Sequence, residues 1–267
     1  MPAALEAALL IARACDSYIE GFAVRPSAPS YVTIEPVSGL AFPGPYEADA
    51  AVQARGQFES FMQAHGVPQA KREQTSFSYA WQWEDAVDDT VIGSHGRVFD
   101  LIVLGRPGPE PQNPRMAPLE AALFDSGRPV LIVPSTTPQT LARNILVAWN
   151  RSTEQARTNA FALPLLRLAD KVTVLTVEGG TTTGPSGEEA ALHLRRNGVK
   201  ATSLTVNTGA RLGGEAAGEV TLQHAASLGC DLLVKCAYTQ SRLRQMIFGG
   251  ATRHILANAT LPIFMAH

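Results

Sequence analysis

Residues 229–267 read GCDLLVKCAYTQSRLRQMIFGGATRHILANATLPIFMAH. Short continuous apolar runs bounded by turn residues are typical of strands that are covered on both faces. The pattern therefore predicts a buried strand, a polar loop with a Gly-Gly pair, a helix and a final apolar strand. Residues 96–135, GRVFDLIVLGRPGPEPQNPRMAPLEAALFDSGRPVLIVPS, repeat that order, with residues 100–104 matching 231–235 and residues 129–133 matching 262–266. Two copies of one strand–loop–helix–strand unit predict a duplicated α/β domain.

The composition is that of a globular chain with a large core. The 267 residues are 45% hydrophobic and 17% charged, which suits one large domain or two of ordinary size. The net charge of -2 provides no basic surface, so we expect no nucleic-acid partner.

The cysteines and the first residues bear on location. Cys15, Cys230 and Cys236 are odd in number and form no C-x-x-C pair, which favours free thiols in a reducing compartment. The opening apolar run contains Glu6 and Arg13, unlike a signal peptide. No apolar run reaches the roughly 18 residues of a membrane span. We therefore expect a cytoplasmic protein with no membrane partner.

The first half alternates helical and strand patterns. Residues 25–45 are rich in proline and glycine and predict a long loop of the kind that often covers ligands. Helical periodicity and strand-like apolar runs predict the other elements. Helices are predicted at residues 2–15, 46–65, 88–99 and 118–124, and strands at residues 17–25, 75–84, 101–104 and 130–133.

The second half has the cleaner pattern. Its strands are predicted at residues 144–149, 171–177, 201–206, 231–235 and 262–266, with four helices between them. Ser152 and Gln155 predict a capping box at the start of the first helix, and Gly198 predicts the end of the second. The order is therefore β-α-β-α-β-α-β-α-β, which is typical of a mainly parallel sheet covered on both faces.

This order, with AWNRS after the first strand and a glycine loop after the fourth, resembles the universal stress protein family. The whole chain resembles the tandem form of that family, in which one polypeptide carries two such domains. The resemblance implies two doubly wound parallel-sheet sandwich domains, adenine-nucleotide-hydrolase-like, at residues 1–138 and 139–267. Each would have the strand order 3-2-1-4-5.

In this family the loop after the fourth strand follows the pattern G-x2-G-x9-G-[S/T] and binds the phosphates and ribose of ATP. The matching positions here are Cys236, Thr239, Gly249 and Gly250, with Thr252 just beyond, so only the third glycine is kept. The resemblance therefore implies a site for ATP or AMP in the second half, built on a degraded motif. No metal is predicted.

The same resemblance implies the base end of the site. Asn150 stands where the family usually carries an aspartate that contacts adenine, and Ala148, Thr176 and Val177 would wall the adenine pocket. An amide both donates and accepts hydrogen bonds, so Asn150 is able to pair with a base edge. The alternative is an ordinary turn residue at position 150 and plain core residues at the other three.

The residues of the glycine loop support two readings. Gly249, Gly250, Ala251 and Thr252 predict a helix N-terminus of the kind that binds anions, and Arg242, Arg244 and Arg253 would make its surroundings positive. Against this, Cys236 and Thr239 stand where the backbone has to approach a ligand closely, and a β-branched threonine is strained at positive φ. The alternative is a loop that keeps its shape and has little affinity for nucleotides.

The first half lacks a strand. The helix predicted at residues 5–14 corresponds to the helix at residues 161–169 of the second half. In the second half a strand at residues 144–149 comes before this helix. In the first half only residues 1–3 come before it. The resemblance places the absent strand in the middle of the sheet, where each unpaired backbone group costs about 1–3 kcal/mol. We expect a reading frame shortened at its N-terminus, or a sheet that closes up or borrows a strand. An irregular fold is the alternative.

The first half also lacks the features of a nucleotide site. Residues 105–108 (GRPG) keep the G-x2-G spacing, but prolines follow them and no glycine–hydroxyl pair precedes the helix. Proline lacks the N–H group that a phosphate would use. The six histidines show no zinc-type spacing, and the sequence contains neither a nucleophile elbow nor a P-loop. We therefore predict no catalytic residues in the chain and no nucleotide site in this half.

The last strands of the halves, at residues 130–133 and 262–266, are apolar and fall at sheet edges, where such strands tend to pair. We expect them to pair with each other as an internal pseudo-dimer, as single-domain members of the family do between chains. A homodimer of the whole chain is a second possibility.

The leading functional hypothesis is a non-catalytic stress-response protein that binds an adenine nucleotide. The alternatives are a protein-interaction or small-ligand module without nucleotide, and a slow nucleotide hydrolase.

Overall fold

A computed structural model describes residues 2–25, 45–71, 76–83, 85–110, 113–207, 213–237 and 249–267. Of the predicted long loop at residues 25–45, residues 26–44 lie outside the described ranges, while Arg25 ends a strand and Pro45 begins a helix. Within the described ranges, no helix has both the length and the apolar character that crossing a membrane requires.

Among the residues described, the first half contains four α-helices and six strands, and two of the strands are only two residues long. Its elements are α1 (Pro2–Cys15), β1 (Tyr18–Gly21), β2 (Val24–Arg25), α2 (Pro45–Ala64), β3 (Ser78–Trp81), β4 (Val87–Asp88), α3 (Asp89–His95), β5 (Ile102–Gly105), α4 (Met116–Asp125) and β6 (Val130–Val133).

The second half follows the predicted order of five strands and four helices. Its elements are β7 (Asn144–Ala148), α5 (Thr153–Leu168), β8 (Lys171–Val177), α6 (Gly187–Arg196), β9 (Ala201–Val206), α7 (Gly214–Ser227), β10 (Leu232–Cys236), α8 (Gly250–Asn258) and β11 (Ile263–Ala266).

A seven-stranded sheet in the order β5-β6-β11-β10-β7-β8-β9 forms the centre of the molecule. Within the second half the order is β9-β8-β7-β10-β11, and every neighbouring pair is parallel. Counted from β7, this is the predicted order 3-2-1-4-5. The α/β prediction is therefore confirmed.

The pairing predicted between the last strands is also confirmed, because β6 and β11 pair antiparallel. Their register is symmetric. Leu131 lies opposite Phe264, Ile132 opposite Ile263 and Val130 opposite Met265. Since Leu131 and Phe264 are equivalent positions of the two sequence repeats, the pair lies on a local twofold axis. The boundary at residues 138/139 falls between these strands and β7, and it stays a prediction.

The sheet of the first half is split where the missing strand was predicted. β1 and β3 form a separate two-stranded parallel sheet, β2 and β4 form a second, and β5 and β6 join the sheet of the second half. One expectation for this half was therefore wrong for the described residues, because its sheet neither closes up nor borrows a strand. Strands β5 and β6 continue the sheet of the second half through the predicted pair of β6 with β11.

Helices cover both faces of the central sheet. One core cluster joins α1, α5 and α6 to one face through residues such as Ala7, Leu166 and Leu194. A second joins α3, α4, α7 and α8 to the other face, for example through Ile92 and Ile255. Each large side chain buried in this way stabilises the fold by about 1.5–3 kcal/mol.

Glycines end two of the predicted helices as expected. Gly66 follows α2 with φ of 68°, and Gly198 follows α6 with φ of 83°. This left-handed conformation is strained for residues with a Cβ atom, so glycine is the natural choice at both positions.

Candidate functional site

A cavity of about 460 Å³ opens at the carboxyl ends of β7, β8 and β10, next to the N-termini of α7 and α8. Ligand pockets in proteins commonly have volumes of about 300–1,000 Å³ and lie at this kind of edge, where the order of parallel strands reverses. Here the reversal falls at β7, between β8 and β10.

Two helix N-termini meet at one end of the cavity. The N-cap residues of α7 and α8 are Gly213 and Gly249, and neither has a side chain that caps the helix. The helices touch through glycine, because a Cβ atom on Gly214 would lie 3.1 Å from the amide nitrogen of Ala251. The dipoles of the two helices and their first backbone N–H groups therefore give this end of the cavity a positive potential.

A buried lysine lies at the same end. Lys235 is 8% exposed and lines the cavity. Its Nζ donates to the carbonyl of Cys236 and to Oγ1 of Thr252, both at 3.0 Å. The Thr252 hydroxyl in turn donates to the carbonyl of Ala237 at 3.1 Å. Neither acceptor of Lys235 carries a charge, and burial lowers the pKa of its ammonium group.

The turn after β7 holds Asn150 at the edge of the cavity. Its Oδ1 accepts from the amide of Ser152 at 3.1 Å, and its Nδ2 donates to Sγ of Cys236 at 3.6 Å. The turn depends on Arg151, which has φ of 69° and forms an ion pair with Glu178 at 2.5 Å. Asn150 therefore stabilises the turn after β7, which was the alternative considered from the sequence, and it also lines the cavity.

The capping box predicted at the start of α5 is only half formed. Ser152 accepts from the amide of Gln155 at 3.1 Å, as predicted. The Gln155 side chain does not return to the cap, because its Oε1 accepts from the amide of Cys236 at 2.7 Å and its Nε2 donates to Asn159. A complete capping box occurs instead at Ser186, at the start of α6.

The structure brings most of the predicted site residues together. Those that line the cavity are Ala148, Asn150, Val177, Gly249, Gly250, Ala251 and Thr252. Thr176 and Cys236 do not line it, because successive residues of a strand face opposite sides of the sheet. Thr176 points toward Gly187 of α6, and Cys236 points toward Asn150 and Ser152. Thr239, Arg242 and Arg244 lie outside the described residues, whereas the exposed Arg253 is part of the lining.

The sequence prediction missed Lys235 as a site residue. A lysine inside the otherwise apolar run LLVKC was the available signal, because a charged residue is rarely fully buried without a specific partner. Gly214 and Thr221 of α7 also line the cavity and were not predicted.

The corresponding loop of the first half folds onto itself. A Cβ atom on Gly105 would lie 2.9 Å from Cγ of Pro114, and one on Gly108 would lie 2.3 Å from Nδ2 of Asn113. The Arg106 guanidinium donates to the carbonyl of Ala259 in the second half. The absence of a nucleotide site here stays a prediction. In the part of the chain that the structure describes, no group of three His, Cys, Asp or Glu side chains is placed to hold a metal ion.

No family model and no curated protein matches the sequence. Among solved structures, a universal stress protein from Archaeoglobus fulgidus DSM 4304 aligns over 98% of this chain and 90% of its own, with a TM-score of 0.67 and 13% identity. A putative universal stress protein from Pseudomonas aeruginosa UCBPP-PA14 aligns over 80% and 77%, with a TM-score of 0.48 and 13% identity. UspA from Lactobacillus plantarum aligns over 48% and 100%, with a TM-score of 0.39 and 12% identity. The first of these shows that the chain has the universal stress protein fold along nearly its whole length.

Proposed function

We propose that this chain is a non-catalytic universal stress protein that binds an adenine nucleotide, ATP or AMP, in the cavity of its second half. The observation that carries the proposal is the polarity of the cavity. Part of its lining combines a buried lysine with two helix N-termini, and another part consists of apolar side chains. A nucleotide has the same division between its phosphates and its base.

The cationic end supports binding of the phosphates. An ammonium group has three N–H donors, and Lys235 uses two of them for neutral acceptors, so the third is available to a phosphate oxygen. The N-termini of α7 and α8, whose glycine N-caps have no capping side chain, add backbone N–H donors. An anion at this end would supply the negative charge that the acceptors of Lys235 lack. It would therefore raise the pKa of the lysine back toward its ordinary value.

The other end supports binding of the base. Ala148, Leu175 and Val177 line it with apolar surface from two neighbouring strands. Asn150 provides the polar group at its edge. A bound base would accept a hydrogen bond from Nδ2 of Asn150 in place of the weak contact with Sγ of Cys236. Oδ1 of Asn150 would keep its hydrogen bond from the amide of Ser152.

Thermal unfolding with added ligand tests the proposal. We expect ATP and AMP to raise the melting temperature. A hundredfold excess over Kd adds about 2.7 kcal/mol to the free energy of unfolding, and adenosine and inorganic phosphate are expected to have smaller effects. Lys235→Met should reduce the shift. Lys171→Met, which changes an exposed lysine on β8, should leave it unchanged. The proposal fails if no nucleotide stabilises the wild-type protein, or if the two variants respond alike.

The interaction-module alternative is favoured by one observation, the hydrogen-bonded state of Asn150, whose two polar side-chain atoms already have protein partners. If that alternative is right, no adenine nucleotide shifts the melting temperature. The hydrolase alternative predicts phosphate release from bound ATP, and we propose that none occurs above the uncatalysed rate. A cytoplasmic location is part of the proposal and rests on the three free cysteines.

A further inference from the structure

Lys235 differs from every other lysine of the chain. The sequence contains four lysines, of which Lys71, Lys171 and Lys200 are exposed. Lys235 is 8% exposed, and it lines the cavity of the second half. A compound in this cavity therefore contacts an amine that is largely withdrawn from water.

The surroundings of Lys235 disfavour a positive charge on this amine. Both hydrogen-bond acceptors of Nζ are uncharged. None of the described residues that line the cavity is acidic. The neighbouring stretches of sequence, residues 208–212 and 238–248, contain three arginines and no aspartate or glutamate. Burial without a counter-charge lowers the pKa of Lys235, so a larger fraction of it is neutral at a given pH than for an exposed lysine.

A neutral lysine amine in an apolar pocket is a nucleophile toward carbonyl carbons, with which it forms imines. The apolar part of the lining keeps the amine desolvated, because Leu175, Ala237 and Ile255 line the same cavity. The cavity has a volume of about 460 Å³, which is enough for a small organic molecule beside the lysine.

The hydroxyl of Thr252 is placed to carry a proton during imine formation. Its Oγ1 lies 3.0 Å from Nζ of Lys235, from which it accepts, and it donates to the carbonyl of Ala237 at 3.1 Å. A hydroxyl group both accepts and donates hydrogen bonds. It is therefore able to take a proton from the nitrogen and to pass its own to an oxygen on the newly attached carbon.

The helix N-termini beside Lys235 select the kind of carbonyl compound. Thr252 is the third residue of α8, so Nζ lies next to the first turn of that helix. Helix α7 contacts the same turn, where Gly214 approaches the amide of Ala251. A protonated imine keeps a positive charge, and an anionic group on the ligand would neutralise it while it accepts from the first N–H groups of the helices.

We propose that Lys235 forms an imine with a small aldehyde or ketone that carries a phosphate or a carboxylate group. Nζ attacks the carbonyl carbon and the C–N bond forms. The C–O bond then breaks, and the two protons of the neutral amine leave with the carbonyl oxygen as water, one of them by way of Thr252. The reaction needs no oxidant, reductant or second substrate. It shares the cavity with the proposed nucleotide but does not depend on nucleotide binding.

Reductive trapping tests the proposal on the wild-type protein. The probe is glyceraldehyde 3-phosphate with sodium cyanoborohydride at neutral pH, and mass spectrometry of peptides measures the rate at each lysine. We expect Lys235 to react at least about tenfold faster than Lys171, because a pKa lower by one unit gives about tenfold more neutral amine. In the urea-unfolded protein the two lysines should react at similar rates.

The anionic group is tested with a matched pair of aldehydes. Glyceraldehyde has the same carbonyl group as the probe but no phosphate, so it should react several-fold more slowly at Lys235, while Lys171 should not distinguish the two. Glyoxylate carries a carboxylate instead. A higher rate at Lys235 with glyoxylate than with glyceraldehyde 3-phosphate would assign a carboxylate ligand, and the reverse order would assign a phosphate ligand.

The proton transfer is tested by Thr252→Val. Removal of the hydroxyl should slow the reaction at Lys235 and leave Lys171 unchanged. Loss of a hydrogen-bond acceptor alone would lower the pKa of the lysine further and would speed the reaction, so a slower rate reports the proton transfer. Thr221→Val is the matched control, because Thr221 lines the same cavity and donates to the carbonyl of Ala217 within α7.

Equal rates at Lys235 and Lys171 in the folded protein would overturn the proposal. So would equal rates at Lys235 with glyceraldehyde and with its phosphate, or a reaction that Thr252→Val does not slow. Addition of ATP separates this proposal from the nucleotide site. Fast trapping at Lys235 that ATP does not slow would support the imine and contradict nucleotide binding in this cavity.

Discussion

Replacing Lys235 by methionine tests the most unusual feature of the candidate site. The ammonium group is buried and its two hydrogen-bond acceptors are neutral, so it loses hydration without gaining a charged partner. The effective penalty for burying one ion is several kcal/mol, and hydrogen bonds to neutral acceptors offset only part of it; replacing buried ionic groups by apolar residues of similar volume is often neutral or stabilising by about 1–4 kcal/mol. Methionine has a similar length, and the Thr252 hydroxyl keeps its hydrogen bond to Ala237. We expect Lys235→Met to raise the free energy of unfolding by about 1–3 kcal/mol.

The effect of pH gives the prediction a second readout. Because burial lowers the pKa of Lys235, the unfolded state binds more protons than the folded state between the lowered value and the ordinary value of 10.5. Across that window, the contribution of Lys235 to the free energy of unfolding of the wild-type protein increases as pH rises. The variant has no lysine at this position and shows no such increase. The advantage of Lys235→Met is therefore largest below the lowered pKa of the lysine, and it disappears as pH rises from that value through 10.5.

Urea unfolding of both proteins across this pH range measures the difference. Comparison with the variant cancels the other groups that titrate there, including Cys230. A variant that is less stable than wild type at neutral pH, or a difference that does not change with pH, would refute the account of Lys235 as a buried cation without a counter-charge.

Three further changes test the packing and the cysteine chemistry. Phe264→Ala, at the centre of the β6–β11 pair, should lower the free energy of unfolding in urea by about 3–5 kcal/mol. Phe161→Ala, which removes a side chain that is 38% exposed, should lower it much less. Equal losses of stability would contradict the buried interface. Gly218→Ala should destabilise by about 1–3 kcal/mol because its Cβ would lie 2.9 Å from a backbone oxygen of α8, while Gly56→Ala, with open space around it, should stabilise by about 0.5–1 kcal/mol; the reverse order would contradict the packing of α7 on α8. Burial raises the pKa of Cys230 to about 11, so its alkylation rate, followed by mass spectrometry, should reach half its maximum near that pH in the folded protein and near 9 after unfolding; a midpoint near 9 in both states would contradict its burial.

The regular elements were predictable from the sequence because local patterns determine them. The five apolar runs of the second half became β7 to β11, and the start and end signals at Ser152 and Gly198 lie where predicted. The pairing of β6 with β11 was predictable for a similar reason, since both are short apolar strands at positions that would otherwise be sheet edges.

The split sheet was harder to predict because a missing strand has no sequence pattern of its own. Comparison of the two halves predicted that the first sheet lacks the strand equivalent to β7. It did not predict how β1 and β5 are arranged without that strand. The answer depends on tertiary packing, since α1 contacts both strands and keeps them in place without direct hydrogen bonds between them.

Most of the residues predicted for the site line one cavity, and their role in binding stays a prediction. The resemblance to a family assigns roles by position, so it selected Cys236 and Thr176, whose side chains face away from the cavity. The alternation of side chains along β10 places Lys235 in the cavity instead, and its neighbours on α8 come from a distant part of the sequence. The two glycine-capped helix N-termini form one end of the site only through tertiary contact, which no local pattern contains.

Isothermal titration calorimetry with ATP, on the wild-type protein and on Lys235→Met, tests the central proposal most directly. We expect wild type to bind one ATP per chain, because the cavity that Lys235 and the N-termini of α7 and α8 line lies in the second half. The variant should bind at least about tenfold more weakly, a loss of about 1.4 kcal/mol, although it is the more stable protein. Absence of binding by wild type, or equal affinity in the two proteins, would contradict the proposed site.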